Sequence, residues 1–270
     1  MNLFDKATGN TPPEWRETGM DTEKRQREHY DSLIGDYEKH YDDEWSKLYR
    51  DEFMYEPLFR EVDLNAARVL EAMCGSGQAT RYLLDRGADV MGLDISGAAI
   101  ESFHARFPRT AAVAASILDT KLPAESFDFV VVIAGLHHLH PHVDRAITEI
   151  HRVLKPGGSF CFIEPHAGSL PDVARAAWYK RDRTYFVENE ASVDVIALAQ
   201  RHADRFDSDV VHYFGGLAWV FVVNSLIWRI PHHLKRYYTP ALLAVERWTS
   251  PMFNRRLSCM AACRWVKKTS

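Results

Sequence analysis

A short glycine-containing segment follows the first apolar run of the chain and offers the clearest chemistry. Residues 69–77 read VLEAMCGSG, so a carboxylate, Glu71, precedes two glycines, Gly75 and Gly77. Glycine lets the backbone approach a ligand closely, and free N–H groups at the start of a helix attract polar or anionic groups. The segment predicts a binding loop, although Gly-x-Gly alone is weak evidence for any ligand.

A second carboxylate, Asp94, ends the apolar segment VMGLD, 23 residues after Glu71. An acid at the end of a second strand suits a ribose, whose two hydroxyls need hydrogen-bond acceptors. The alternative interpretation is that Asp94 only caps the next helix. The preceding glycine loop favours ribose binding.

Four histidines crowd residues 136–142, which read LHHLHPH. This segment follows the fourth apolar run, where ligands bind in parallel sheets, so His137 or His138 is a candidate catalytic base. We expect no metal here, because no i, i+4 pair lies on an established helix and Asp144 is the only acid nearby. A purely structural role for these histidines stays open.

Alternating apolar runs and helical patterns from residue 67 onward must position these groups. Helices are predicted near 78–86, 97–106 and 142–154, and alternation with strands implies right-handed βαβ units in a parallel sheet. The predicted fold is α/β: a Rossmann-like, doubly wound, seven-stranded sheet, mostly parallel, with the last two strands antiparallel. The predicted strands are Val69–Ala72, Asp89–Leu93, Thr110–Ala115, Phe127–Ile133, Ser159–Ile163, Val210–Phe214 and Ala262–Val266.

Two flanking regions complete one integrated domain around the core of residues 65–166. Residues 1–64 are expected to form an N-terminal tail and helical lid, since their aromatic residues recur at helical spacing. Residues 167–270 are expected to form a substrate-side helical cap and the final strands. The aromatic residues expected to line an apolar substrate site are Trp178, Tyr179, Tyr185, Phe186, Phe214, Trp219, Phe221 and Trp228.

Composition narrows the class of protein. The net charge of −4 argues against general nucleic-acid binding. The chain has four cysteines and no CxxC pair, and residues 1–15 lack the pattern of a secretory signal. These features predict a cytoplasmic protein that does not bind nucleic acid generally.

Charge is unevenly distributed. Residues 21–63 hold 14 acidic and 7 basic side chains, whereas residues 229–270 hold 9 basic and 1 acidic. Solvated faces are the simpler explanation, and contact with an anionic substrate or membrane surface is the alternative. The apolar stretch Val210–Trp228 approaches the length of a membrane span, but His212 and two glycines favour a buried or substrate-covering helix over membrane contact.

Taken together, the ordered motifs resemble class I S-adenosylmethionine-dependent methyltransferases, especially those acting on small molecules. The resemblance covers roughly residues 65–165 and rests on Glu71, Gly75-Ser76-Gly77, Asp94, LPAESFD at 122–128, LHH at 136–138 and LKPGG at 154–158. It implies S-adenosylmethionine as cofactor and direct displacement of its methyl group by a small molecule. The aromatic residues of the cap, rather than the resemblance, favour a hydrophobic or aromatic metabolite as the acceptor. A non-methylating enzyme of the same fold, such as a cyclase or isomerase, and a membrane-peripheral binding protein remain alternatives.

The resemblance also implies roles for individual residues. The first loop would hold the methionine moiety, and Asp94 would bind the ribose. Ile95 and the residues after the third strand would contact the adenine, and the residues after the fourth strand would lie beside the methyl group. Tyr30 would cover the cofactor. The implied cofactor-binding residues are Glu71, Ala72, Met73, Cys74, Gly75, Gly77, Asp94, Ile95, Ser116, Ile117, Ala134, Gly135 and Tyr30. This chain departs from the family at Met73, where glycine is usual, and at Ser116, where aspartate is common.

Overall fold

A seven-stranded sheet forms the centre of the computed structural model, which describes residues 41–179 and 191–269. The strands are β1 Arg68–Ala72, β2 Asp89–Asp94, β3 Ala111–Ala114, β4 Phe127–Ile133, β5 Leu154–Pro165, β6 Phe206–Phe214 and β7 Met260–Lys267. Their order is β3-β2-β1-β4-β5-β7-β6. The first five strands pair in parallel and β7 is antiparallel to both of its neighbours. The predicted fold class is therefore confirmed.

Helices cover both faces of this sheet. They are α1 Glu44–Tyr49, continued by a π-helical segment Arg50–Tyr55, α2 Glu56–Phe59, α3 Thr80–Leu84, α4 Gly97–Arg106, α5 Val143–Val153, α6 Leu170–Tyr179, α7 Val195–Arg201, α8 Leu217–Phe221 and α9 Lys235–Thr249. Short 3₁₀ turns lie at Leu136–His138, Val223–Leu226, His232–Leu234 and Ser250–Met252.

Alternation along the central strands builds two cores. Leu70 and Val130 point to one face of the sheet, where they join Phe160. Val69 and Val131 point to the other. A sheet buried on both faces leaves its carboxyl edge as the place where loops can carry ligand-binding groups. The loops after β1, β2 and β4 meet there.

The N-terminal helices are tied to the C-terminal half. Asp43 caps α1 by accepting hydrogen bonds from the backbone N–H groups of Trp45 and Ser46 at 3.1 and 3.2 Å. The hydroxyl of Tyr49, in α1, donates to Glu246 of α9 at 2.9 Å. These bonds hold α1 and α9 together beside the carboxyl edge of the sheet.

The apolar stretch 210–228 divides into a strand and short helical turns, so the predicted strand Val210–Phe214 is confirmed, whereas a single helix over the whole stretch does not form. Its first residues belong to β6, where Val210 and Val211 pair with β7, and only short helical turns follow Gly216. β-branched residues in a run favour this extended pairing. None of the helices within residues 41–179 and 191–269 is long and apolar enough to cross a membrane.

Candidate active site

A cavity of about 490 Å³ opens at the carboxyl edge of the sheet, between the loops after β1, β2, β3 and β4 and the C-terminal cap. Most residues predicted to bind cofactor or substrate lie together on its wall. These residues are Met73, Gly75, Asp94, Ile95, Ser116, Ile117, Ala134, Gly135, His137 and His138.

Other predicted residues lie behind the first loop rather than on the cavity wall. Ala72 and Cys74 are buried, and Gly77 sits at φ +90°, where an added Cβ would lie 2.6 Å from the ring of Phe107. Tyr30 lies outside the described residues. Ala72, Cys74 and Gly77 therefore shape the loop, and the wall itself is formed by Gly75 and its neighbours.

Glu71 braces the first loop from inside the protein. It is 1% exposed and accepts hydrogen bonds from the backbone N–H of Ala79, at 2.8 Å, and from the hydroxyl of Thr80. Burial raises the pKa of Glu71 to about 7. Its carboxylate thus holds the start of α3 against the end of β1.

Asp94 fixes the cavity side of the same loop. Its two carboxylate oxygens accept hydrogen bonds from the backbone N–H groups of Gly75 and Ser96, both at 2.9 Å. Ser96, not Asp94, is the N-cap of α4, since its hydroxyl accepts from the N–H of Ala99 at 3.0 Å. The helix-cap interpretation of Asp94 is therefore wrong, and its carboxylate lies on the cavity wall.

A second buried carboxylate, Glu164, braces the loop after β4. It is fully buried and accepts hydrogen bonds from the N–H groups of Gly135, Leu136 and His137 at 2.8, 2.6 and 3.3 Å. Burial raises its pKa to about 7. Sequence analysis missed Glu164, because nothing local marks an acid in β5 as the partner of a loop 27–29 residues earlier.

The same carboxylate orients His137. Nδ1 of His137 lies 2.8 Å from Glu164 Oε2. When Glu164 is ionised it can only accept hydrogen bonds, so Nδ1 carries the proton and Nε2 keeps its lone pair. The ring centroids of His137 and His138 are 3.7 Å apart, and both residues line the cavity. This arrangement can supply a proton acceptor to a bound molecule.

Both loops begin with a non-glycine residue in the left-handed region. Met73 follows β1 at φ +55° and Ala134 follows β4 at φ +52°. The Met73 side chain lies against Gly135, where an added Cβ would be 2.8 Å from its Sδ. The side chain of Met73, where the family usually has glycine, thus fills the space that the missing side chain of Gly135 leaves.

Arg50 is a cavity residue that sequence analysis did not identify. It is 5% exposed and lines the cavity, and its Nε and Nη1 have no hydrogen-bond partner among residues 41–179 and 191–269. The acids near it in the chain pair elsewhere, Asp51 with Arg81 and Glu52 with Arg247. A guanidinium stays charged even when buried, so this group can take an anionic partner from the cavity.

Arg106, also missed, supports the first loop. It donates to the carbonyl and hydroxyl of Ser76 at 3.2 and 2.8 Å and pairs with Asp42 at 2.6 Å. The loop is thus linked both to α4 and to the segment before α1. Arg106 differs from Arg50 because its charge is already matched by Asp42.

The opposite wall of the cavity is largely apolar. Trp219, Val220, Val223, Ile227 and Trp228 line it. Among the other aromatic residues predicted here, Phe214 is buried in the core and Phe221 packs on Trp228 with ring centroids 5.8 Å apart. Tyr185 and Phe186 lie outside the described residues, as do the side chains of Trp178 and Tyr179.

Comparison with known proteins relates the central part of this chain to methyltransferases. Residues 70–162 match the family model described as a methyltransferase domain. The chain is 34% identical over 166 residues to the phthiotriol/phenolphthiotriol dimycocerosates methyltransferase of Mycobacterium tuberculosis, an alignment that covers 60% of this chain and 56% of the relative. The chain spans about half the length of the curated relatives it matches.

Solved structures show the same fold at low sequence identity. The N-methyltransferase NodS of Bradyrhizobium japonicum, crystallised with S-adenosyl-L-homocysteine, superimposes with a TM-score of 0.56 at 14% identity, over 94% of this chain and 100% of that chain. The cyclase SpnF superimposes with a TM-score of 0.61 at 18% identity, over 92% and 97%. Residues 70–162 thus match a methyltransferase domain, and the chain has the fold of solved S-adenosylmethionine-dependent methyltransferases.

Proposed function

We propose that this protein transfers a methyl group from S-adenosylmethionine to a small, apolar acceptor by direct displacement. The observation that carries the proposal is a single cavity. Its wall contains the Gly75–Asp94 edge, the His137–His138 loop and the apolar surface around Trp219. Alignment of two molecules in a dry site is what displacement of a methyl group requires of a protein.

The residues present fit the cofactor. Arg50 provides the unmatched positive charge that the carboxylate of an amino-acid moiety needs. Asp94 faces the cavity as an acceptor for ribose hydroxyls, and Ile95 offers an apolar side chain to the base. When bound, the cofactor supplies a methyl group activated by a sulfonium.

The acceptor lies, in this proposal, between the apolar wall and the loop after β4. Trp219 and Val223 exclude water and match an apolar or aromatic molecule. His137, oriented by Glu164, takes the proton from an acceptor hydroxyl through Nε2, and His138 beside it is the second candidate. An acceptor that is already a free nucleophile needs no base.

Label transfer tests the function. The purified protein is incubated with methyl-labelled S-adenosylmethionine and an organic-solvent extract of cells, and we expect label in an extractable product. Asp94→Ala should abolish it, with Asp63→Ala, in the loop before β1, as control. Tight S-adenosylhomocysteine binding without label transfer to any acceptor would overturn the proposal and favour non-methylating chemistry.

The role of Arg50 has its own test, which needs no acceptor. We expect Arg50→Met to weaken S-adenosylhomocysteine binding about 10- to 100-fold, the value of a buried hydrogen bond to a charged group. Binding of 5′-methylthioadenosine, which lacks the amino-acid carboxylate, should not change. Arg86→Met, which removes a surface cation paired with Glu56, is the matched control. Calorimetry showing equal losses for both nucleosides would contradict this role.

A further inference from the structure

The outer face of α9 carries apolar side chains in solvent, which a helix on a protein surface normally avoids. The inner face presents Lys235, Thr239, Leu243 and Glu246 to the protein. The exposed apolar and aromatic residues recur at three- and four-residue spacing, with Arg236 and Arg247 exposed beside them; they are Tyr237, Pro240, Ala241, Ala244, Val245 and Trp248. Tyr237 is 69% exposed and Trp248 is 78% exposed. We call these six residues the α9 face.

The α9 face is linked to the cavity. Trp228, seven residues before α9, is 42% exposed and also lines the cavity. The hydroxyl of Tyr238 donates to the carbonyl of Phe221 at 2.8 Å, which fixes α9 against the segment that forms the apolar wall. Helix α9, which carries this face, is therefore attached to a segment that lines the cavity.

Positive charge borders this apolar surface. Residues 229–256 contain six lysines and arginines and one acid, Glu246. Of the six cations, Lys235 is buried beside Asp43, Arg247 pairs with Glu52, and the other four are exposed arginines. Glu246 is buried and accepts hydrogen bonds from Tyr49 and from the N–H of Gly216 at 2.7 Å. Arg236 precedes Tyr237, and Arg255 and Arg256 are exposed beyond the helix. This stretch therefore presents cations and no acidic side chain to solvent.

We propose that the α9 face docks onto the surface of an anionic lipid bilayer. Tryptophan and tyrosine are favoured at the membrane interface, and arginines beside them are attracted to anionic headgroups. A second copy of the chain is a poorer occupant, because pairing two α9 faces would bring like charges together. Docking of the α9 face does not depend on the proposed methyltransferase activity. If the methyl acceptor enters the cavity from the lipid, that step rests on the proposed function.

Vesicle co-sedimentation of the full-length protein tests docking. Vesicles of phosphatidylcholine with equal phosphatidylglycerol should bind the protein, and vesicles of phosphatidylcholine alone should bind it much less. Tyr237→Ser with Trp248→Ser should lower binding at least about tenfold. Arg255→Gln with Arg256→Gln should lower it only on the anionic vesicles. Leu84→Ser, an exposed apolar residue on α3, is the matched control.

Three results would overturn the proposal. The first is unchanged vesicle binding in the Tyr237/Trp248 variant, and the second is no binding of the wild-type protein to anionic vesicles. The third is gel filtration showing that this variant converts a dimer into a monomer, which would assign the face to a second copy. Titration with S-adenosylhomocysteine confirms that each variant is folded, and it separates failure of docking from failure of the proposed function.

Discussion

Two loops at the carboxyl edge of the sheet are built alike yet prepared for different tasks. Each begins with a residue at positive φ and is braced by a fully buried glutamate, Glu71 after β1 and Glu164 after β4. Glu71 bonds the start of the next helix, so its loop presents backbone to the cavity. Glu164 bonds a histidine ring as well, so its loop presents side-chain chemistry. In the function proposed above, the same brace thus supports cofactor binding in one loop and proton transfer in the other.

The largest expected effect is on turnover, and it distinguishes the two loops when each buried glutamate is replaced by glutamine. In Glu164→Gln the amide NH₂ faces Nδ1 of His137 and forces the opposite tautomer, which protonates Nε2. For a hydroxyl acceptor we expect a rate loss of about 10²–10⁴ with little change in S-adenosylhomocysteine affinity. Nitrogen NMR of the His137 ring reports the tautomer directly.

Glu71→Gln is the matched variant, and it should keep turnover. The hydroxyl of Thr80 can accept a hydrogen bond from the new amide while the amide oxygen still accepts from Ala79. Equal rate losses in the two variants would show that both glutamates only support structure.

The second prediction uses what the two glutamates share. Burial raises the pKa of each from 4.5 to about 7. The folded chain therefore holds these protons more tightly than the unfolded chain, and the free energy of unfolding falls as the pH rises from about 4.5 to about 7. Glu71→Gln cannot ionise, and it should remove on the order of 3 kcal/mol of that fall.

Urea unfolding at pH 5 and pH 7.5 measures this difference. Glu101→Gln, which changes an exposed carboxylate, is the control and should leave the pH dependence as it is. A Glu71→Gln protein whose stability falls as steeply as that of the wild type would contradict the assignment.

The two loops also show how far the sequence alone reaches. The α/β alternation, the seven strands and the clustering of Gly75 and Asp94 at one edge of the sheet were predictable, because each depends on local patterns in the chain. Glu164 and Arg50 were not. Their importance comes from partners distant in sequence, or from the lack of one, and only the folded chain reveals either. Sequence could recognise the loop that binds through its backbone and not the brace that orients His137.

A third prediction concerns the contact between the loops. Gly135→Ala places a Cβ 2.8 Å from Met73 Sδ and 2.8 Å from a methyl group of Val132, and such overpacking costs about 1–3 kcal/mol. Met73→Ala in the same chain should recover part of this loss. Gly75→Ala meets no atom within 4 Å, and its cost comes from φ +53° alone. Denaturant unfolding should therefore show rescue by Met73→Ala for position 135 and none for position 75.

The smallest expected effect is on the free energy of unfolding, and it separates backbone strain from side-chain packing at Ala134 and Met73, the two residues at positive φ. Ala134→Gly relieves about 1–2 kcal/mol of backbone strain and loses about 0.5–1 kcal/mol through the greater freedom of the unfolded chain, so a net gain of about 0.5 kcal/mol is expected. In Met73→Gly the relief of backbone strain and the greater freedom of the unfolded chain offset each other as they do at position 134. The change also removes the side chain that packs on the core beside Gly135. We expect Met73→Gly to be neutral or destabilising in urea unfolding. Equal gains at both positions would mean that Met73 contributes no packing, and that its presence in the first loop must be explained by the ligand it faces.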